Sequence, residues 1–150
     1  MKIVSWNCNG KFREKFKYIL ETNADIYIIQ ECENPEFYND TEYKDFAINY
    51  IWQGENKNKG LGIFAKANIS LNKNNWNSYC LKNLISAYHY IFNEEQGNEK
   101  QNTFYLYRHL DKGYHIDHCF IAKERIKEYK ILFDEKWLEY SDHIPIILEI

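Results

Sequence analysis

Proline is nearly absent, two in 150 residues, and no proline-rich linker, low-complexity tail or internal repeat interrupts the chain. One unit spanning residues 1–150 is therefore the expectation. A basic excess is missing too: 19 Lys and Arg face 22 Asp and Glu, a net charge of -3. No global positive field draws nucleic acid in, so any phosphate recognition must be local. No apolar stretch approaches the ~20 residues of a membrane span. The short apolar opening Lys2 to Trp6 meets Asn7, Asn9 and Gly10 at once, so no signal peptide is read and a cytoplasmic location is expected. Cys8, Cys32, Cys80 and Cys119 lie far apart, with neither a CxxC pair nor a zinc-type Cys/His group. They read as reduced, mostly buried thiols.

What is present is apolar and aromatic. At 45% hydrophobic and 17% aromatic, weighted toward Ile, Tyr and Phe rather than Leu and Ala, the composition favours strands. A chain of this length can bury roughly 68 to 70% of its unfolded surface, enough for a real core. Lys2 to Trp6 predicts a buried strand, Asn7 to Gly10 a turn, and Lys11 to Glu21 a helix with Phe12, Phe16, Ile19 and Leu20 at helical spacing. Asp25 to Gln30 predicts a second strand, parallel to the first through a right-handed crossover. Asn7 and Glu31 then stand at the carboxyl ends of adjacent strands, where open sheets tend to place ligands. Farther on, Phe46 to Gln53 and Gly60 to Lys66 predict a hairpin. Asn68 to Lys82 has no clear period, and Asn83 to Tyr90 reads as a loop or damaged strand. Thr103 to Tyr107, Tyr114 to Ala122, Ile126 to Phe133 and His143 to Ile150 are predicted strands, with Asn93 to Gln101 a charged loop.

Four short motifs carry the chemistry: Ile3-Val-Ser-Trp-Asn-Cys-Asn-Gly10, Gln30-Glu31 after an apolar strand, His115-Ile-Asp117, and Ser141-Asp-His143. Taken singly they are weak. Asn7 suits a turn beside Gly10, Glu31 a solvated strand end, and His143 an ordinary strand-end histidine. In this order across nearly the whole chain, they resemble the endonuclease/exonuclease/phosphatase superfamily. The resemblance implies an α/β sandwich, two mixed β-sheets packed face to face with outer helices, here with several central elements missing.

It also implies a metal-dependent phosphoesterase using Mg2+, or Mn2+, to hydrolyse a phosphate ester, which nucleic acid could supply. Carried over by motif, Glu31 is the metal ligand and Asp142 a second carboxylate near the metal. Asn7 positions metal and phosphate, His143 contacts the scissile phosphate, and Asp117 orients His143. A hard cation needs one or two carboxylates and keeps open positions for phosphate, and a carboxylate on one imidazole nitrogen fixes the tautomer. His115, His89 and Arg108 are candidate phosphate contacts. His115 is placed on one strand face with Asp117, and His118 on the other, packed.

Members of that superfamily normally carry a Gly-Asp-x-Asn motif, and no glycine in this chain is followed by aspartate. The sequence thus reads as internally shortened near residues 82–83. The missing aspartate and asparagine would serve the attacking water and the phosphate, each contributing about 10²-fold or more. Impaired catalysis is expected, with a non-catalytic remnant that binds metal or phosphate as the alternative. Lost central strands also leave sheet edges open to self-association.

Overall fold

The computed structural model describes residues 1–71 and 84–150. The shortened stretch expected near 82–83, the Asn68 to Lys82 segment beyond residue 71, and Cys80 lie outside them. Within the described residues, ten strands and four helices follow in order: β1 (Lys2–Asn7), α1 (Phe12–Leu20), β2 (Ile26–Cys32), α2 (Thr41–Phe46), β3 (Tyr50–Asn56), β4 (Lys59–Ala65), β5 (Leu84–Ser86), α3 (Ala87–Phe92), β6 (Phe104–Tyr105), β7 (Gly113–Tyr114), β8 (Phe120–Ala122), β9 (Glu128–Ile131), α4 (Trp137–Tyr140) and β10 (Ile146–Glu149). Six strands form one mixed sheet in the order β3-β4-β2-β1-β10-β9, while β5 pairs with β8 and β6 with β7. β1 and β2 run parallel, Ile3 opposite Ile26 and Asn7 opposite Gln30, as the crossover helix requires.

Alternation along the strands sends two sets of side chains to opposite faces. On one, Val4, Trp6, Tyr27, Ile29, Phe64 and Ile147 bury against Phe12, Phe16 and Ile19 of α1 and Tyr43 of α2. The periods that build this layer, two along β1 and 3.6 along α1, are legible in the sequence. On the other face, Ile146 and Leu148 of β10 and Tyr129 of β9 meet Ala87 and Tyr88 of α3.

Gly62 lets the core aromatics close over β4. A Cβ there would stand 2.5 Å from Phe64 Cε2 and 2.7 Å from Cys32 Sγ, and both side chains are buried and unable to retreat. Gly62→Ala is expected to destabilise by about 1–3 kcal/mol, read as a lower denaturation midpoint with an unchanged m-value.

Several predicted spans shorten. The predicted Phe46 to Gln53 strand starts later, as β3 at Tyr50, because Phe46 closes α2, whose N-cap Asp40 accepts from the Tyr43 amide at 3.1 Å. Asn83 to Tyr90 resolves, from Leu84 on, into β5 and the start of α3. The predicted Thr103 to Tyr107 strand stops at Tyr105, where Leu106–Arg108 forms a 3-10 turn with Tyr107 left-handed at φ 55°. Tyr114 to Ala122 is broken: residues 115–119 are irregular, because Thr103 Oγ1 takes the amides of Ile116 and Asp117 at 3.1 and 3.0 Å in place of a strand partner. The last two predicted strands contract to β9 and β10. Cys8, Cys32 and Cys119 are free thiols, the first two fully buried. Among the described residues no helix is long and apolar enough to cross a membrane.

Candidate active site

The parallel ends of β1 and β2 bring Asn7 beside Gln30. Pairing of β2 with β4 shifts register between Ile29 and Cys32, and inside that bulge Glu31 adopts φ 60°. A left-handed non-glycine residue costs about 1–3 kcal/mol, and bulges beside functional sites serve to re-aim a side chain. Here the bulge turns Glu31 out of the ladder, where Lys59 Nζ donates to its Oε2 at 2.7 Å. The lysine ammonium holds the Glu31 carboxyl below its ordinary range; burial opposes this, and Asn7 and His143 reinforce it.

The Ser141-Asp-His143 segment is tied to the same strand ends. Ser141, fully buried, donates through Oγ to the Asn7 carbonyl at 2.7 Å and accepts from the His143 amide at 3.0 Å. Trp6 Nε1 donates to the His143 carbonyl at 3.0 Å. The Asn9 side-chain amide donates to Asp142 Oδ1 at 3.2 Å, closing a loop in which Asn9, Gly10 and Lys11 are all left-handed.

His143 is held on two sides. Nδ1 meets Asp117 Oδ2 at 2.8 Å and the ring packs on Phe104 with centroids 4.8 Å apart. Asp117 is fixed by its own amide on Thr103 Oγ1, and Thr103 is fully buried. A carboxylate accepts, so Nδ1 carries a proton and Nε2 is the ring atom left for a substrate. Burial lowers the basicity of His143, but the Asp117 hydrogen bond and charge, with Asp142 and Glu31 behind them, outweigh it and raise the pKa above the ordinary 6.5.

The sign of the resulting pH dependence follows. A raised histidine contributes stability that is fully present below its unfolded value and lost as pH rises through its folded value. In chelator-containing buffer the wild type is therefore expected to gain stability over Asp117→Asn below about pH 6.5, with the advantage fading at higher pH. Thermal melts across pH, with the His143 ring titration followed by NMR, check this. A His143 midpoint unmoved by Asp117→Asn would contradict it.

Asn7, Glu31, Asp117, Asp142 and His143 thus share one site, each having been legible as a motif residue. His89 and His115 gather elsewhere. His89 Nε2 meets Glu99 Oε1 at 2.9 Å and Nδ1 meets Ser86 Oγ at 2.7 Å, while His115 Nδ1 meets the Gln101 carbonyl at 2.9 Å. Those bonds engage both nitrogens of His89 and the Nδ1 of His115 with protein partners, while His115 Nε2 is buried without one among the described residues. His118, expected to be packed, is exposed and stacked on His89 at 5.9 Å: alternation persists through 115–119, but the face that His118 shares with Ile116 and Phe120 is the solvent face. Arg108 Nη1 donates to the Glu139 carbonyl at 3.1 Å.

Sequence reasoning missed three contributors. Asn9 lay in the first motif without a role, Thr103 carried no signal beyond being a threonine, and Lys59 sits 28 residues beyond Glu31 in a hairpin turn. Among the described residues, no group of three or more His, Cys, Asp or Glu side chains is arranged to hold a metal ion. A closed cage is thus not built there. The donor set suits an open site: Glu31 with the Asn7 amide beside it, and Asp142 behind. Three carboxylates, Glu31, Asp117 and Asp142, face Lys59 and the His143 ring there, a set that favours a divalent cation.

The sequence matches no protein-family model and no curated protein. Solved structures do match. The 3'-5' exonuclease NExo from Neisseria meningitidis superposes with a TM-score of 0.68 at 12% identity, over 100% of this chain and 99% of that one. An aspartate-to-asparagine variant of the 3' phosphatase NExo from Neisseria, bound to a product DNA hairpin, gives 0.67 at 12% identity over the same shares. An AP endonuclease from Archaeoglobus fulgidus gives 0.68 at 12% identity, over 99% of this chain and 98% of that one.

Proposed function

We propose that this chain, which has the endonuclease/exonuclease/phosphatase fold, is a hydrolase of phosphate esters dependent on magnesium or manganese. The observation carrying the reading is the Asp117–His143 pair at 2.8 Å, seated by Ser141 on the strand end that bears Asn7, beside the bulged Glu31. Glu31, with Asn7 and Asp142 behind it, would hold the metal. Bound there, a divalent cation supplies positive charge to the phosphate oxygens and to the attacking oxygen.

The residues divide the remaining work. Asp117 fixes the His143 ring and keeps its Nδ1 proton in place. His143, its pKa raised by that carboxylate and held on Phe104, presents Nε2 as a donor to a phosphoryl oxygen as charge develops. Asn7 donates through its amide to the same group, and Asn9 keeps Asp142 from swinging into the phosphate. With no Gly-Asp-x-Asn motif, no aspartate of that kind receives the proton of the attacking water, and turnover is slow for it. Nucleic acid is among the substrates to test, since one structural neighbour is a 3' phosphatase holding a DNA hairpin product.

A second reading has its own observation. Lys59 already neutralises Glu31, which suits a domain that keeps the scaffold and binds phosphate without hydrolysing it. The two separate in one assay of a generic phosphodiester and a 3'-phosphorylated DNA hairpin, with thermal stability followed in parallel. Metal-dependent release of product supports the hydrolase, whereas stabilisation by metal or phosphate without release supports the binding domain.

A further inference from the structure

We infer that Lys59 is a built-in competitor for the divalent cation: its ammonium occupies the Glu31 oxygen that the metal must take, so the cation binds only by displacing it. The inference rests on the reading of Glu31 as the metal carboxylate and adds a residue that tunes its occupancy.

The contact is built rather than casual. Lys59 opens β4 at the turn of the β3–β4 hairpin, opposite Asn56. That turn is docked on the segment after β2: the Asn34 amide donates to the Lys57 carbonyl at 2.8 Å, and the Tyr38 hydroxyl donates to Asn58 Oδ1 at 2.5 Å. The Lys59 stem then lies across Gly10, whose missing Cβ would fall 4.0 Å from Lys59 Cε. Backbone on both sides, the hairpin turn and the β2 bulge, sets the two charges at 2.7 Å.

Electrostatics makes the ammonium and the metal mutually exclusive. The ammonium gains from Glu31 first and also from Asp142, the two carboxylates assigned to the metal. A dication placed on Glu31 would face it at short range with the same sign of charge. The pair is nonetheless open to exchange: the Lys59 side chain is 59% exposed and that of Glu31 37%. Solvent screening limits such a pair to a modest effect, so the competition shifts metal affinity by a factor of a few rather than by orders of magnitude. Lys59 therefore weakens metal binding without abolishing it.

The test is the affinity for Mn2+ alone, read from the electron paramagnetic resonance of the free ion, for wild type, Lys59→Met, Lys59→Arg and Glu31→Gln. Lys59→Met is expected to bind Mn2+ about two- to fivefold more tightly than wild type at low salt, with the gap closing as salt is added. Lys59→Arg, which keeps the positive charge, stays near wild type, and Glu31→Gln removes the site. Unfolding melts in chelator show which variants remain folded. Equal or weaker binding by folded Lys59→Met, with Glu31→Gln still losing the ion, overturns the competition and leaves the metal reading standing. Binding that is absent from wild type and Lys59→Met, or that survives Glu31→Gln, removes both.

Discussion

Replacing His143 by alanine is expected to lower metal-dependent phosphodiester hydrolysis by about 10²- to 10⁴-fold. The size follows from what the ring does alone. It is the imidazole of the cluster, Asp117 at 2.8 Å fixes its tautomer, and Phe104 holds its plane. Alanine removes the charge-matched donor and takes from Asp117 its partner in the site. Asp117→Asn keeps the ring but withdraws the carboxylate, so its loss is smaller and its pH profile shifts to lower pH. Because the two residues act as a unit, the double variant is expected to fall no further than His143→Ala by more than a small factor. Initial rates at saturating Mg2+ for the four proteins of that cycle check this. Strictly additive losses would mean that Asp117 and His143 work independently.

The second large effect concerns the fold. Phe12→Ala is expected to destabilise the protein by about 3–5 kcal/mol. Phe12 is fully buried, and its ring meets those of Trp6, Tyr43, Phe46 and Phe64 at centroid separations of 6.3, 6.0, 5.9 and 5.6 Å. Removing it opens a cavity that rigid aromatic neighbours on three elements cannot close. Domains of this size hold about 5–15 kcal/mol in all, so a large fraction of the stability is at stake. The consequence reaches the site, because α1 follows directly on the loop that carries Asn9 and leaves β1 at Asn7. Equilibrium denaturation reads the loss, and a change under about 1 kcal/mol would show that the aromatic layer repacks.

How far the molecule could be read in advance depended on how local each signal was. The first strand, turn, helix and second strand were legible because Val4, Trp6, Phe12, Phe16 and Ile19 keep their periods and are buried in one layer. The candidate site was legible as residue types: Asn7, Glu31, Asp117, Asp142 and His143 all sit in short motifs, and they converge. What made them converge was not. The left-handed bulge at Glu31 depends on pairing with β4, a strand that follows only after α2 and β3.

Side-chain competition with the backbone moved two boundaries. Asp40 caps a short α2 that runs to Phe46, so the strand expected from Phe46 begins only at Tyr50. Thr103 Oγ1 captures two amides at 116 and 117 and breaks the strand ladder while the side chains still alternate, so His118 goes to solvent with Ile116 and Phe120 and His115 lies beside Tyr88, ring centroids 4.0 Å apart. Lys59 was invisible for a third reason. A lysine in a polar turn carries no sign of the carboxylate it will meet until the hairpin docks.

The most direct test of the account is turnover of a generic phosphodiester by the wild-type chain with Mg2+ and with chelator, set against Glu31→Gln under the same conditions. Hydrolysis that needs the metal and is lost in Glu31→Gln is the predicted result. Hydrolysis that persists in chelator or in Glu31→Gln, or its complete absence from wild type in Mg2+ and Mn2+, would contradict it.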